Sequence, residues 1–147
     1  TKSFQKLLVN SMTDVLTRKQ RRFCMSRIRG KDTGPEMVLR RMLHAVGYRY
    51  RLHVRALPGC PDMVFPARKK VVFVHGCFWH RHNCKYGKVM PGTRKEFWQN
   101  KFRETILRDR KNYKALKKSG WQVLVIWECQ LKNPIKLKMI LTKFLKL

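Results

Sequence analysis

Val71-Val-Phe-Val-His-Gly-Cys-Phe-Trp-His-Arg-His-Asn-Cys84 joins an apolar run to a cluster of histidines and cysteines. Val71–Val74 has no polar interruption, as a strand buried on both faces requires. Trp121-Gln-Val-Leu-Val-Ile-Trp127, announced by Gly120, is a second such run. Between them the pattern predicts one long helix, from about Arg94 to Lys118. Strand, helix and strand in that order predict a mixed α/β sheet. Working outward, Met63–Phe65 reads as a strand after the turn Leu57-Pro-Gly-Cys-Pro61, and Tyr48–Val54 reads as another. Thr33-Gly-Pro-Glu36 is a capping box with a proline in the first turn, so it opens a helix. Leu39, Leu43 and Val46 share one face of that helix, and Gly47 stops it. Residues 135–145 predict a closing amphipathic helix.

The chain has 147 residues, enough for one ordinary domain, and 44% are hydrophobic, enough for a real core. Its charge is the outlier: 35 Lys and Arg against 8 Asp and Glu give a formal +27. Such a field favours a polyanion through release of condensed counterions. Ribosomal proteins share this property, so charge points to nucleic acid without pointing to catalysis. An anionic membrane surface is the weaker alternative. No apolar run approaches the ~20 residues that span a bilayer, and no signal peptide is expected. Five cysteines, an odd number without a secretion signal, argue against a disulfide framework and for reduced thiols. Residues 1–16 are expected to be an extension that need not be ordered, with Met12 opening a fresh segment. Residues 17–31 are basic with few apolar anchors. They read either as a solvated charged face or as an arm that orders on nucleic acid.

Cys77 and Cys84 flank His80 and His82, and Cys129 follows the last core strand. Three thiolates and one imidazole in tetrahedral array would make a closed structural zinc site. The alternative is three cysteines packed as small hydrophobes. If the strands before Cys77 and Cys129 are neighbours, both sulfurs emerge at one edge of the sheet. Asp62 sits in Pro61-Asp62-Met63 at the mouth of a strand, where nuclease carboxylates hold Mg²⁺. For an isolated Pro-Asp, an ordinary turn is much the commoner explanation. Asp109 is odder, because the stripe Phe102, Ile106, Asp109, Tyr113, Leu116 is a helical seam and a carboxylate there needs a partner. An arginine would serve structurally, whereas a histidine would make a carboxylate–imidazole pair of raised basicity. At least one of His75, His80 and His82 remains once zinc has its single imidazole. Glu36 is explained by its capping role, although it also lies on the Leu39 and Leu43 face. Phe78 with Trp79, and Phe97 with Trp98, stand among basic residues and suit either core packing or stacking on bases.

Pro58-Gly-Cys-Pro-Asp62, Phe73-Val-His-Gly-Cys-Phe-Trp-His80-Arg-His82-Asn-Cys84, Thr93-Arg-Lys-Glu-Phe-Trp98, Arg108-Asp109-Arg110 and Trp127-Glu-Cys129 occur in that order. In this the chain resembles very-short-patch repair (Vsr-type) endonucleases, over roughly residues 17–130. The resemblance implies a restriction-endonuclease-like fold, a mixed central sheet flanked by helices with a structural zinc. The Vsr-type domain is expected over 17–133 including the basic arm, and the amphipathic helix, beyond the reach of the resemblance, over 134–147. It implies a Mg²⁺-dependent nick in one strand, 5′ to the mispaired thymine of a T·G mismatch. Double-stranded DNA carrying that mismatch is then the partner, with other mismatch-repair proteins as further partners. A monomer in the bacterial cytoplasm, associated with the nucleoid, is expected.

Position by position, Asp62 resembles the Mg²⁺-binding carboxylate and the backbone carbonyl of Val74 a second Mg²⁺ ligand, where the family often has Thr. His75 is similar to the residue assisting at the scissile phosphate, His80 to the general base, Asp109 to its orienting partner and Glu36 to an acidic residue near the site. Cys77, His82, Cys84 and Cys129 match the zinc ligands. Phe78, Trp79 and Trp98 match aromatics that wedge into DNA, and the segment through Met25 matches the arm that clasps it. Residue 81 is Arg where the family often has His. Neither the extreme charge nor the first eleven residues follow from the resemblance. A restriction or homing-type nuclease that cuts paired DNA, and a non-enzymatic basic zinc protein, are the rival readings.

Overall fold

The computed structural model describes residues 16–146, and its sheet is built on the two apolar runs. The extension expected for residues 1–16 lies outside the described residues except for Leu16. The strands are β1 (Arg51–Leu52), β2 (Met63–Phe65), β3 (Lys70–His75) and β4 (Gln122–Trp127), in the spatial order β1-β2-β3-β4. β1 and β3 run antiparallel to β2, whereas β4 runs parallel to β3. The parallel pair requires a long crossover, and the helix Lys95–Lys118 (α3) lies within it. The mixed sheet expected from the strand–helix–strand order is therefore present.

Alternation along β3 and β4 divides the core. Val72 and Ile126 face one way, onto Leu39 and Leu43 of α2 (Gly34–Ala45) and Leu137, Leu141 and Leu145 of α4 (Pro134–Leu145). Val71 and Phe73 face the other way and meet Leu116, with Tyr113, Val123 and Val125 packed around them. The sheet is thus covered on both faces, by α2 and α4 on one and by α3 on the other. No helix among the described residues is long and apolar enough to cross a membrane.

Two local expectations need correction, and one helix was not foreseen. Only Arg51 and Leu52 of the segment Tyr48–Val54 pair as a strand. His53 adopts φ 45°, outside the extended region, and its Nε2 lies 2.8 Å from Arg40 Nη2. Tyr48 and Tyr50 instead place their rings edge-on to Phe65. Val46, expected on the buried face of α2, is 47% exposed because it caps a helix that has already ended. Gly47, at φ 89°, supplies the left-handed stop. The basic segment contains a helix that charge had obscured: α1 spans Arg18–Ser26 behind a capping box between Thr17 and Gln20. It buries no residue, and Phe23, Met25 and the following Ile28 are exposed.

Candidate functional site

Register decides what meets at the end of the sheet. His75 closes β3 on the same face as Phe73, opposite Trp127 at the end of β4. α3 crosses that face with Asp109 and Tyr113 one turn apart. His80 lies in the loop just beyond β3, in a turn closed by its N–H to the Gly76 carbonyl. The result is a pair of imidazoles, His75 and His80, stacked 3.6 Å apart with planes 3° from parallel. His80 Nδ1 is 2.5 Å from Asp109 Oδ2. His75 Nε2 is hydrogen-bonded to the Tyr113 hydroxyl and lies 3.9 Å from Asp109 Oδ2. The buried-seam carboxylate therefore has an imidazole as its partner, one of the two alternatives open from sequence.

Electrostatics separate the two histidines. Burial and the neighbouring His80 push His75 down to about 4, with Asp109 opposing them. Burial works against the ionised form of Asp109, yet hydrogen bonding and charge attraction from His80 hold its pKa below the usual carboxylate value. With Nδ1 committed to Asp109, His80 keeps Nε2 as its remaining proton-transfer atom.

Asp62 stands immediately before β2, and its Oδ2 accepts the Val74 N–H at 2.7 Å. That contact brings together Asp62, Val74 and, next in the strand, His75. Burial raises Asp62 to about 6, the Val74 N–H lowers it, and the charge of Glu36 raises it again. A half-buried carboxylate that accepts the Val74 N–H suits a divalent cation, which would favour its charged form against burial.

Glu36 is buried on α2 and does not join the stacked histidines. Its carboxylate accepts Arg40 Nη2 at 2.8 Å and the Asp32 N–H at 3.0 Å. Only half of the expected capping box forms: Thr33 Oγ1 receives the Glu36 N–H, while Glu36 reaches Asp32 and the Thr33 hydroxyl rather than the Thr33 N–H. Arg40 also binds Asp32 at 2.6 Å. Arginine thus occupies the centre of the Asp32, Glu36 and His53 group. Sequence reading missed Arg40, Asp32 and His53. The usable signal was Arg40 one helical turn after Glu36.

Cys77, His82, Cys84 and Cys129 gather their ligand atoms within 4.8 Å of one another. His82 Nδ1 is 3.3 Å from Cys129 Sγ and 3.8 Å from Cys77 Sγ. Three thiols and an imidazole at these separations match tetrahedral zinc, whose sulfur ligands sit ~2.3 Å from the ion. Burial pushes the Cys77 and Cys129 thiols upward. Against burial, the backbone N–H groups of Gly87 and Tyr86 hold Cys84 below its ordinary value. A cation would be needed to make the other two thiolates. The loop folds tightly to achieve this: a Cβ on Gly87 would fall 1.9 Å from the His82 carbonyl oxygen. Arg81, in the left-handed region at φ 54°, donates to the Val89 carbonyl at 2.6 Å and lies over the Phe102 ring.

Phe78, Trp79 and Trp98 form one aromatic group with Phe102, at centroid separations of 5.2–5.9 Å. Phe102 is buried beneath it, while Phe97 at its edge is 47% exposed. Met25 is 42% exposed on α1.

A family model described as DNA mismatch endonuclease Vsr matches residues 13–86. A type II nicking enzyme of Xanthomonas oryzae pv. oryzae, V.XorIIP, is 47% identical over 122 residues, covering 83% of this chain and 89% of that protein. The DNA mismatch endonuclease Vsr of Escherichia coli K12 is 41% identical over 126 residues, covering 86% of this chain and 80% of its own. A type II nicking enzyme of Neisseria meningitidis serogroup A, V.NmeAIP, is 43% identical over 122 residues, 83% of this chain and 86% of that one. Likeness of this extent reaches well beyond the histidine-rich block, and with it the chain belongs to the Vsr family of DNA endonucleases.

Proposed function

We propose that this protein nicks one strand of duplex DNA 5′ to the mispaired thymine of a T·G mismatch, by Mg²⁺-assisted phosphodiester hydrolysis on a restriction-endonuclease-like scaffold. The observation that carries the reading is His80 held by Asp109 and stacked on His75, beside Asp62. Asp62 and the Val74 carbonyl would hold Mg²⁺, which when bound supplies positive charge at the scissile phosphate. Asp109 fixes the His80 ring through Nδ1, and Nε2 would take the proton from the attacking water. His75, neutral at physiological pH because it is buried, would assist at the phosphate without adding a second charge to the stack. Glu36, an acidic residue near the site, is paired with Arg40, and the two charges act on Asp62 in opposite directions. Cys77, His82, Cys84 and Cys129 would hold a structural zinc. Phe78, Trp79 and Trp98 would contact the bases, with the arm around Met25 clasping the duplex. The formal charge of +27 favours that duplex as partner.

A nicking assay on otherwise identical duplexes carrying T·G, the other mismatches or only paired bases tests the reading. Mg²⁺-dependent cleavage of the thymine strand confined to T·G is expected. Equal cleavage of paired DNA would favour a restriction-type activity instead. No cleavage of any duplex, with zinc and Mg²⁺ supplied, would leave a non-enzymatic basic zinc protein.

A further inference from the structure

α3 presents Asp109 and Tyr113 one turn apart on the same face, and each holds one ring of the stacked pair: Asp109 binds His80 Nδ1 and Tyr113 binds His75 Nε2. From this juxtaposition we infer that Tyr113 is a positioning residue of the active centre, the neutral counterpart of Asp109 that fixes the plane and register of His75 against His80. The inference rests on the reading of the histidine pair given above.

The geometry supplies three reasons. His75 is 6% exposed, so water does not readily replace a lost partner for Nε2, and an unpartnered buried ring nitrogen is costly. The stack is face to face at 3.6 Å and 3°, an arrangement that aromatic rings do not favour on their own. It therefore depends on hydrogen bonds from outside the pair. Tyr113 is also anchored independently of the histidine, because its ring packs on Phe73 at 5.3 Å, itself 5% exposed. A hydroxyl on a fixed ring, delivered by a rigid helix, sets a position more sharply than a loop residue can. A phenol differs from a second carboxylate in one essential respect: burial and the neighbouring Asp109 and Asp62 charges push its pKa upward, so it stays uncharged beside Asp109.

The test is Tyr113→Phe, which keeps the ring and removes only the oxygen. Two readouts are needed. In the zinc-loaded protein without Mg²⁺ or DNA, long-range ¹⁵N–¹H spectra report His75 Nε2. The expected result is a displaced Nε2 resonance with fold and melting behaviour retained. In the nicking assay, kcat should fall roughly tenfold or more while KM for duplex holds, as for loss of an outer hydrogen-bond partner of a functional histidine. An unchanged Nε2 resonance would overturn the contact, and an unchanged kcat would overturn its role. His80→Ala measured alongside separates the two levels. Normal nicking by that variant would remove the reading of the site, whereas its loss with Tyr113→Phe fully active would remove this inference alone.

Discussion

His75 and Trp127 face each other in the parallel register of β3 and β4, and two residues beyond each stands a cysteine, Cys77 and Cys129. The Trp127 ring meets both clusters. It stacks on His82 at 4.3 Å and 17°, and meets His75 edge-on at 5.6 Å and 66°. The candidate zinc cluster and the candidate catalytic pair therefore share one strand pair and one indole. Disturbing the first should be felt at the second through Trp127.

Cys129→Ser should test that coupling. Loss of one thiolate from a four-ligand set should release zinc, and the loop from Cys77 to Val89 has few buried apolar groups to hold it otherwise. The expected result is substoichiometric zinc by metal analysis, a lower Tm and an altered near-UV signal as the stack of Trp127 on His82 loosens. A variant that is metal-free, equally stable and fully active would contradict a structural zinc.

Gly87→Ala should disturb the same loop without replacing a ligand side chain. The new methyl would lie 1.9 Å from the His82 carbonyl oxygen, so backbone must move. Overpacking of this kind costs about 1–3 kcal/mol or more, and here it should also weaken zinc retention in a chelator competition. Unchanged retention would mean that the loop yields freely.

The apolar runs announced β3 and β4 because both faces of those strands are buried, which leaves no room for polar residues. α3 was legible through its seam, and Asp109 through being the one carboxylate in it. What pairs with what was less so. Tyr113 reads as an ordinary core aromatic until β3 is placed beneath α3, since its hydroxyl serves His75, 38 residues away. β1 was overestimated because Tyr48, Tyr50 and Leu52 alternate like a strand, whereas His53 turns toward Arg40 and ends it. α1 was hidden by its charge, although Thr17 and Gln20 carry its capping signal. Gly87 left no local signal, because its constraint comes from a carbonyl five residues back that closes on it only when the loop folds.

Stability against pH should expose the environments of Asp62 and His75 in metal-free buffer. Asp62, raised by burial from 3.8 to about 6, keeps a proton when folded that the unfolded chain has released. Its contribution is present at low pH and lost as pH rises toward about 6. His75, lowered by burial from 6.5 to about 4, does the reverse: its contribution is present above about pH 6.5 and lost as pH falls toward about 4. The two slopes oppose one another over their shared range. Asp62→Asn should therefore leave stability rising with pH there, and His75→Gln should leave it falling. Melting curves of both variants decide the matter, and identical profiles would show that neither group is desolvated as described. Adding Mg²⁺ should reduce the Asp62 slope if that carboxylate is a ligand.

His80→Ala should separate chemistry from recognition. General-base catalysis contributes about 10²–10⁴-fold, so nicking should fall by that order while binding of T·G duplex holds. His80 is half-buried in the loop beyond β3, outside the strands of the sheet, so its loss should spare the fold. Equal loss of binding and nicking would remove the assignment.

Trp79→Ala addresses mismatch sensing. Trp79 packs edge-on to Phe78 and tilts against Trp98, yet it is less buried than Phe102 below them. A ring so placed can either close the core or leave it to stack on bases, and the two roles separate by measurement. Base stacking is worth ~1–3 kcal/mol, so a DNA-facing Trp79 should cost roughly tenfold or more in affinity for T·G over paired duplex, with little change in Tm. A core-facing Trp79 should lower Tm while leaving the ratio of the two affinities intact. We expect the first outcome, because Phe102 already seals the core beneath the group at 4% exposure.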